Sequence, residues 1–215
     1  GRGNKEGSDK AAVDAMRLML NSIHMDGVVA IGEGEKDEAP MLYNGERLGS
    51  GNPPLVDIAV DPIDGTTVLS LGRSGALTVV ALSERNTMYD PKHIMYMNKI
   101  AVGPEAAGTI DIDAPVSANL RNVARARRRA IEDLTVIILD RPRHQDLIHQ
   151  VREVGARIRL ISDGDIAGAL MTAIEETGID VLMGIGGSPE AVVSACALKC
   201  VGGDMQCKLW PRNDE

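Results

Sequence analysis

The sequence predicts an α/β protein, and three observations carry that prediction. Short apolar runs recur along the chain, each bounded by glycine, proline or acidic residues, and these read as buried strands. In the second half such runs alternate with stretches of helical spacing, a pattern that implies parallel strands with helices on their faces. The apolar bulk is also of one kind: no Phe, one Trp, three Tyr and ten Met, so the core is built from aliphatic residues and Met.

Residues 9–23 carry Ala12, Met16, Met19, Leu20 and Ile23 at helical spacing, with Asp9 able to cap the start. Residues 28–31 form a short strand that runs into Gly32-Glu33-Gly34-Glu35, and residues 56–60 form another, followed by Asp61-Pro62-Ile63-Asp64-Gly65-Thr66. Pro62 and Gly65 are expected to force a sharp turn there. Residues 76–82 and 96–102 read as further strands and 116–130 as helix. Then follow strand 135–139, helix 145–154 ended by Gly155, strand 157–161, helix 166–174, strand 181–185, and helix 189–201 with Pro in its first turn. The expected division is 1–133, an α+β part, and 134–215, a parallel α/β part.

At 215 residues the chain suffices for one large or two small domains, and its 44% hydrophobic and 25% charged content is ordinary for a globular protein. The net charge of −8 and the scarcity of aromatic residues argue against nucleic acid as a partner. No run reaches the length of a membrane span, and nothing resembles a signal peptide. Three cysteines without framework spacing fit a reducing cytoplasm. The start at Gly1 and the end at Glu215, just after an apolar segment, read as cut, so the chain is expected to be part of a longer protein.

In parallel sheets ligands gather beyond the carboxyl ends of the strands. Arg141-Pro142-Arg143, Asp163-Gly164-Asp165 and Gly186-Gly187-Ser188-Pro189-Glu190 each follow one of the three later strands, so all three clusters fall at one end of the sheet. Asp61 and Asp64 supply the oxygen ligands that hard divalent cations want, Gly65 lets a phosphate approach the backbone, and the Thr66 hydroxyl can hold a water. The competing reading of the hexapeptide is a strand-ending turn. Glu33 is a metal-ligand candidate against the alternative of an exposed acidic loop, and Asp37 a water-orienting carboxylate. Asp9 competes with a helix cap. Arg141 and Arg143 suit bidentate phosphate binding, or else are surface arginines. Asp163 and Asp165 suit sugar hydroxyls or caps; Glu190 is a helix-dipole acid or a last metal ligand. Arg121, Arg125, Arg127, Arg128 and Arg129 read as a solvated face, and Cys196 and Cys200 as core packing.

The hexapeptide resembles the signature of the lithium-sensitive, metal-dependent phosphatases. Gly1-Arg2-Gly3-Asn4-Lys5, Ile31-Gly32-Glu33-Gly34-Glu35 with Ala39-Pro40-Met41-Leu42-Tyr43, Asn119-Leu120-Arg121, Arg141-Pro142-Arg143-His144, Ser162-Asp163-Gly164-Asp165 and Gly184-Ile185-Gly186-Gly187 with Pro189-Glu190 narrow it. Together they resemble bacterial class II fructose-1,6-bisphosphatase over essentially the whole chain, although family members are longer at both ends. The resemblance implies a layered α-β-α-β-α sugar-phosphatase architecture, here partly incomplete. It implies two or more Mg²⁺ or Mn²⁺ ions on Asp9, Glu33, Asp61, Asp64 and Glu190. The reacting phosphate would sit over Asp64, Gly65 and Thr66, the distal one on Tyr96, Arg141 and Arg143, and the sugar on Asp163, Asp165 and Gly187. Thr66, Asp37 and Asp61 would serve the hydrolysis of the 1-phosphate of fructose 1,6-bisphosphate. A cytoplasmic homo-oligomer, dimer or tetramer, is expected. The alternatives are a phosphatase acting on sedoheptulose 1,7-bisphosphate or an inositol phosphate, and a truncated, non-catalytic sugar-phosphate-binding chain.

Overall fold

Two separately packed units, residues 1–92 and 93–215, make up the chain, with a mixed sheet in each. The computed structural model describes residues 3–32, 42–91 and 94–211.

The first unit opens with α1 (Lys5–Asn21), whose N-cap is Asn4, not Asp9: the Asn4 side chain accepts from the Gly7 N–H at 2.9 Å. Asp9 lies inside the helix, so its expected capping role is corrected. Val13, Met16 and Leu20, spaced one helical turn apart, pack on Ile58 and Val60. The sheet comprises β1 (Asp26–Ile31), β2 (Arg47–Leu48), β3 (Leu55–Asp64) and, beyond the one-turn helix α2 (Thr66–Ser70), β4 (Leu77–Glu84); its order is β2-β1-β3-β4. β1 and β3 run parallel, and the other two pairings are antiparallel.

The sharp turn expected directly after Val60 is not there. β3 continues through Pro62 to Asp64, and the chain reverses only at Gly65, which has φ 89°. Pro62 is tolerated because the ladder to β4 is broken at that point: Asp61 faces Val79 and Asp64 faces Leu77, so one strand carries an extra residue. The missing N–H therefore has no partner to lose.

The second unit carries β5 (Tyr96–Val102), α3 (Val116–Arg127), β6 (Thr135–Leu139), α4 (Gln145–Val154), β7 (Arg157–Ile161), α5 (Asp165–Met171), β8 (Val181–Gly187), α6 (Ser188–Val201) and β9 (Asp204–Leu209). Sheet order is β7-β6-β8-β5-β9. β6, β7 and β8 are parallel, as their alternation with helices predicts, whereas β5 and β9 are antiparallel to their neighbours. β5 lies between β8 and β9 in this sheet, so the compact second unit starts at 93 rather than at the expected 134. One face packs Ile100, Val102, Val136, Ile138, Val181 and Met183 under α3 and α4. The other packs Ala101, Ile137 and Leu182 against Ala169 of α5 and Leu198 of α6.

The arginines of α3 and its exit are not all solvated. The side chains of Arg127 and Asp180 are 6% and 1% exposed and lie 3.1 Å apart; Arg129 adds a second cation at 3.2 Å, and the Thr135 N–H donates to Asp180 at 2.7 Å. Asp180 thus ties the end of α3 to the start of β6. Cys200, expected in the core, is exposed at the end of α6. Asp180→Ala leaves the buried Arg127 guanidinium with Glu105, at 3.1 Å, as its remaining carboxylate and strands the Thr135 N–H; it is expected to cost about 3 kcal/mol of unfolding free energy, measured by urea denaturation.

Candidate active site

Within the first unit, the hexapeptide geometry follows from the bulge. Three residues apart on a regular strand, Asp61 and Asp64 would face opposite sides of the sheet. The extra residue brings both into register with Val79 and Leu77, which share one face. Asp64 is 6% exposed, and each aspartate buries a carboxylate oxygen. At Gly65 a Cβ would lie 3.0 Å from Val68 and 3.4 Å from the Ala76 backbone, at a positive φ that disfavours other residues. Thr66 then opens α2. Lys5 does not pair with Asp9; its ammonium donates to Thr67 Oγ1 at 2.9 Å, which ties the start of α1 to α2. Asp9 has a buried Oδ1 with no hydrogen-bond partner, and burial raises its pKa. The exit of β1 is pinned where Gly32 N–H donates to Asn44 Oδ1 at 2.7 Å. Glu33 and Asp37 lie outside the described residues.

Within the second unit, Arg143 lies over the Tyr96 ring, 5.3 Å from its centroid, and Trp210 stands edge-on to that ring with centroids 6.2 Å apart. Two expected distal-phosphate residues, from β5 and from the turn after β6, are therefore together. Arg143 also donates to the Ile185 carbonyl at 2.9 and 3.3 Å. Arg141, the third of that set, donates to the Asp140 carbonyl at 3.1 Å.

Asp165 is the first residue of α5, behind Gly164. It is buried and pairs with Lys99 of β5 at 2.7 Å. Asp163, half-buried, lies in the bend before it. Glu190, in the first turn of α6, has a buried Oε2 with no hydrogen-bond partner. Burial drives its pKa up, Lys99 opposes that shift, and Asp165 and Asp163 reinforce it. A Cβ at Gly187 would collide with the Glu190 carboxylate, and one at Gly186 with that of Asp165. The glycines ending β8 therefore leave the space these two acids fill.

His144 was legible only as a neighbour of Arg143. It is 1% exposed, and its two ring nitrogens bridge β6 and β8. Nδ1 lies 2.7 Å from the Leu139 carbonyl, which can only accept, and the Ile185 N–H donates to Nε2 at 2.7 Å. This fixes a neutral ring with its proton on Nδ1. Lys99 escaped notice as well; its signal was a lone charge inside the apolar strand Tyr96–Val102.

Residues 1–215 match the family model described as bacterial fructose-1,6-bisphosphatase, glpX-encoded. The chain belongs to this family. Over 214 residues it is 49% identical to the class 2 fructose-1,6-bisphosphatase of Haemophilus influenzae, covering 100% of this chain and 64% of that protein. Over 214 residues it is 48% identical to fructose-1,6-bisphosphatase 1 class 2 of Escherichia coli K12, covering 100% and 63% respectively. The chain thus spans less than two thirds of the length of these relatives.

The family is one of metal-dependent phosphatases. The donors present fit a hard cation: they are carboxylates, and Asp9 and Glu190 each bury an oxygen that lacks a hydrogen-bond partner. Among the described residues, no three His, Cys, Asp or Glu side chains converge on one point. No helix among them is long and apolar enough to cross a membrane.

The neutral His144 ring sets a pH dependence. Burial lowers its pKa from 6.5, Arg143 and Arg141 add to the shift, and the Leu139 carbonyl opposes it. Below 6.5 the unfolded chain gains a proton that the folded ring resists, so stability falls as pH drops through that range. Thermal melts from pH 7.5 to 5.5 are expected to show a larger loss for the wild-type chain than for His144→Gln.

Proposed function

We propose that the protein hydrolyses the 1-phosphate of fructose 1,6-bisphosphate, releasing fructose 6-phosphate and phosphate, with Mg²⁺ or Mn²⁺ as cofactor. A cytoplasmic homo-oligomer is part of the same proposal. The observation that carries it is the match of residues 1–215 to the family. The relatives' printed names, class 2 fructose-1,6-bisphosphatase, support the substrate.

The proposed metal holders are Asp9, Glu33, Asp61, Asp64 and Glu190. When bound, such ions neutralise phosphate charge and lower the pKa of a coordinated water. The chain's own residues do the rest. Thr66 orients the attacking water, and a carboxylate, Asp37 or Asp9, takes its proton. Gly65, without a side chain, leaves the reacting phosphate room beside the backbone. Tyr96, Arg141 and Arg143 hold the distal phosphate; the contact of Arg143 with the Tyr96 ring supports this by limiting where the guanidinium can point. Asp163, Asp165 and Gly187 meet the sugar. No covalent phosphoenzyme is required.

Phosphate release measured with and without Mn²⁺ tests the proposal. Asp61→Asn is expected to lower kcat by about a thousandfold or more, with little change in melting temperature. Near-normal turnover in that variant sinks the metal assignment. Arg143→Ala is expected to raise KM about tenfold with kcat largely kept, because a distal-phosphate contact binds ground and transition states alike. Faster release from sedoheptulose 1,7-bisphosphate or an inositol phosphate than from fructose 1,6-bisphosphate would reassign the substrate. Metal binding without turnover would favour a sugar-phosphate-binding role.

A further inference from the structure

Lys99 has no role in the chemistry described so far, yet the second unit is shaped around it. It is 2% exposed on β5, between strands β8 and β9, with Met97, Ile100 and Ala101 buried near it. A lysine is almost never this buried unless paired, and removing an ammonium from water costs several kcal/mol that an ion pair only partly returns. An apolar residue would fill the position with less penalty if packing were the only requirement.

Three elements make the burial workable. Gly184 lies opposite Lys99 in the β5–β8 ladder, and Gly186 lies opposite Met97. A side chain at Gly186 would overlap the Asp165 carboxylate, with its Cβ 2.9 Å from the Lys99 ammonium. The Lys99 Nζ therefore reaches across a glycine-stripped stretch of β8 to Asp165 Oδ2, at 2.7 Å, on α5. Lys99 is thus the partner of an acid assigned to the sugar.

We propose that Lys99 is a positioning residue: it fixes the Asp165 carboxylate by one oxygen so that the other accepts from a sugar hydroxyl, and it thereby sets the preference for a hydroxyl-bearing phosphate ester. This rests on the sugar-phosphatase reading above. A carboxylate held in one orientation rewards a ligand with a donor there, and penalises one that leaves it unmatched. Lys99 itself touches neither the sugar nor the reacting phosphate.

The test compares kcat/KM for fructose 1,6-bisphosphate with that for p-nitrophenyl phosphate, which has no sugar hydroxyl. Lys99→Met is expected to lower the ratio of the two about tenfold or more, through KM for the sugar ester, and Lys99→Arg to recover part of it. If Lys99→Met does not fold, Lys99→Met combined with Asp165→Asn, which removes both buried charges, carries the test. Its ratio is expected to stay low at a near-wild-type melting temperature. A ratio unchanged in Lys99→Met, a parallel loss on both esters, or a wild-type ratio in the double variant overturns the proposal. A wild-type protein that releases phosphate from neither ester overturns the phosphatase reading instead. Calorimetric binding of fructose 6-phosphate then decides the role of Lys99: weakening in Lys99→Met supports it, and unchanged affinity overturns it.

Discussion

The His144 imidazole holds the carboxyl ends of β6 and β8 in place, and that end of the second sheet depends on it. The direct β6–β8 register runs only through Val136–Val181 and Ile137–Leu182. Beyond that the ring spans the gap, from the Leu139 carbonyl to the Ile185 N–H. Gly184, at φ 130°, keeps the ring's space clear: a Cβ there would lie 3.0 Å from Nε2. Because the next-door Arg143 takes the Ile185 carbonyl, one dipeptide satisfies both backbone groups of Ile185. The ring is a spacer between strands, and the guanidinium position follows from it.

The same device, a strand end stripped of side chains and filled by a polar group from elsewhere, recurs along β8. Gly186 admits Asp165 and Gly187 admits Glu190. Each acid comes from the first turn of a helix, where the backbone dipole favours a negative charge. In the first unit the corresponding device is a bulge rather than a run of glycines: one extra residue in β3 turns two aspartates to the same face.

The alternation of strands and helices from residue 135 to 201 was legible to within three residues at each boundary, because buried parallel strands and amphipathic helices write themselves as local patterns. α4 and β7 have the bounds their sequence predicts. β9 was missed although Asp204-Met205-Gln206-Cys207-Lys208-Leu209 alternates polar and apolar residues strictly; what the pattern leaves open is its partner, the edge of β5. The sharp turn expected at Pro62 failed for a related reason, since a proline breaks a strand only where its N–H is needed, and the neighbouring strand decides that. A cap competes with the metal-ligand reading of Asp9 in the sequence because Asn4, which takes the cap, lies outside the apolar pattern that defines the helix.

By itself the sequence determined the α/β class, the order of most elements, and the carboxylates and arginines that carry the proposed chemistry; these rest on local spacing and on residue type. Only the tertiary structure decided how those residues are held. Lys99 in an apolar strand, the His144 bridge, the contact of Arg143 with Tyr96, and the Asp180 anchor of Arg127 each join groups distant in the chain. Such pairings leave no local periodicity, because their partners are chosen by strand order and by where glycines leave room.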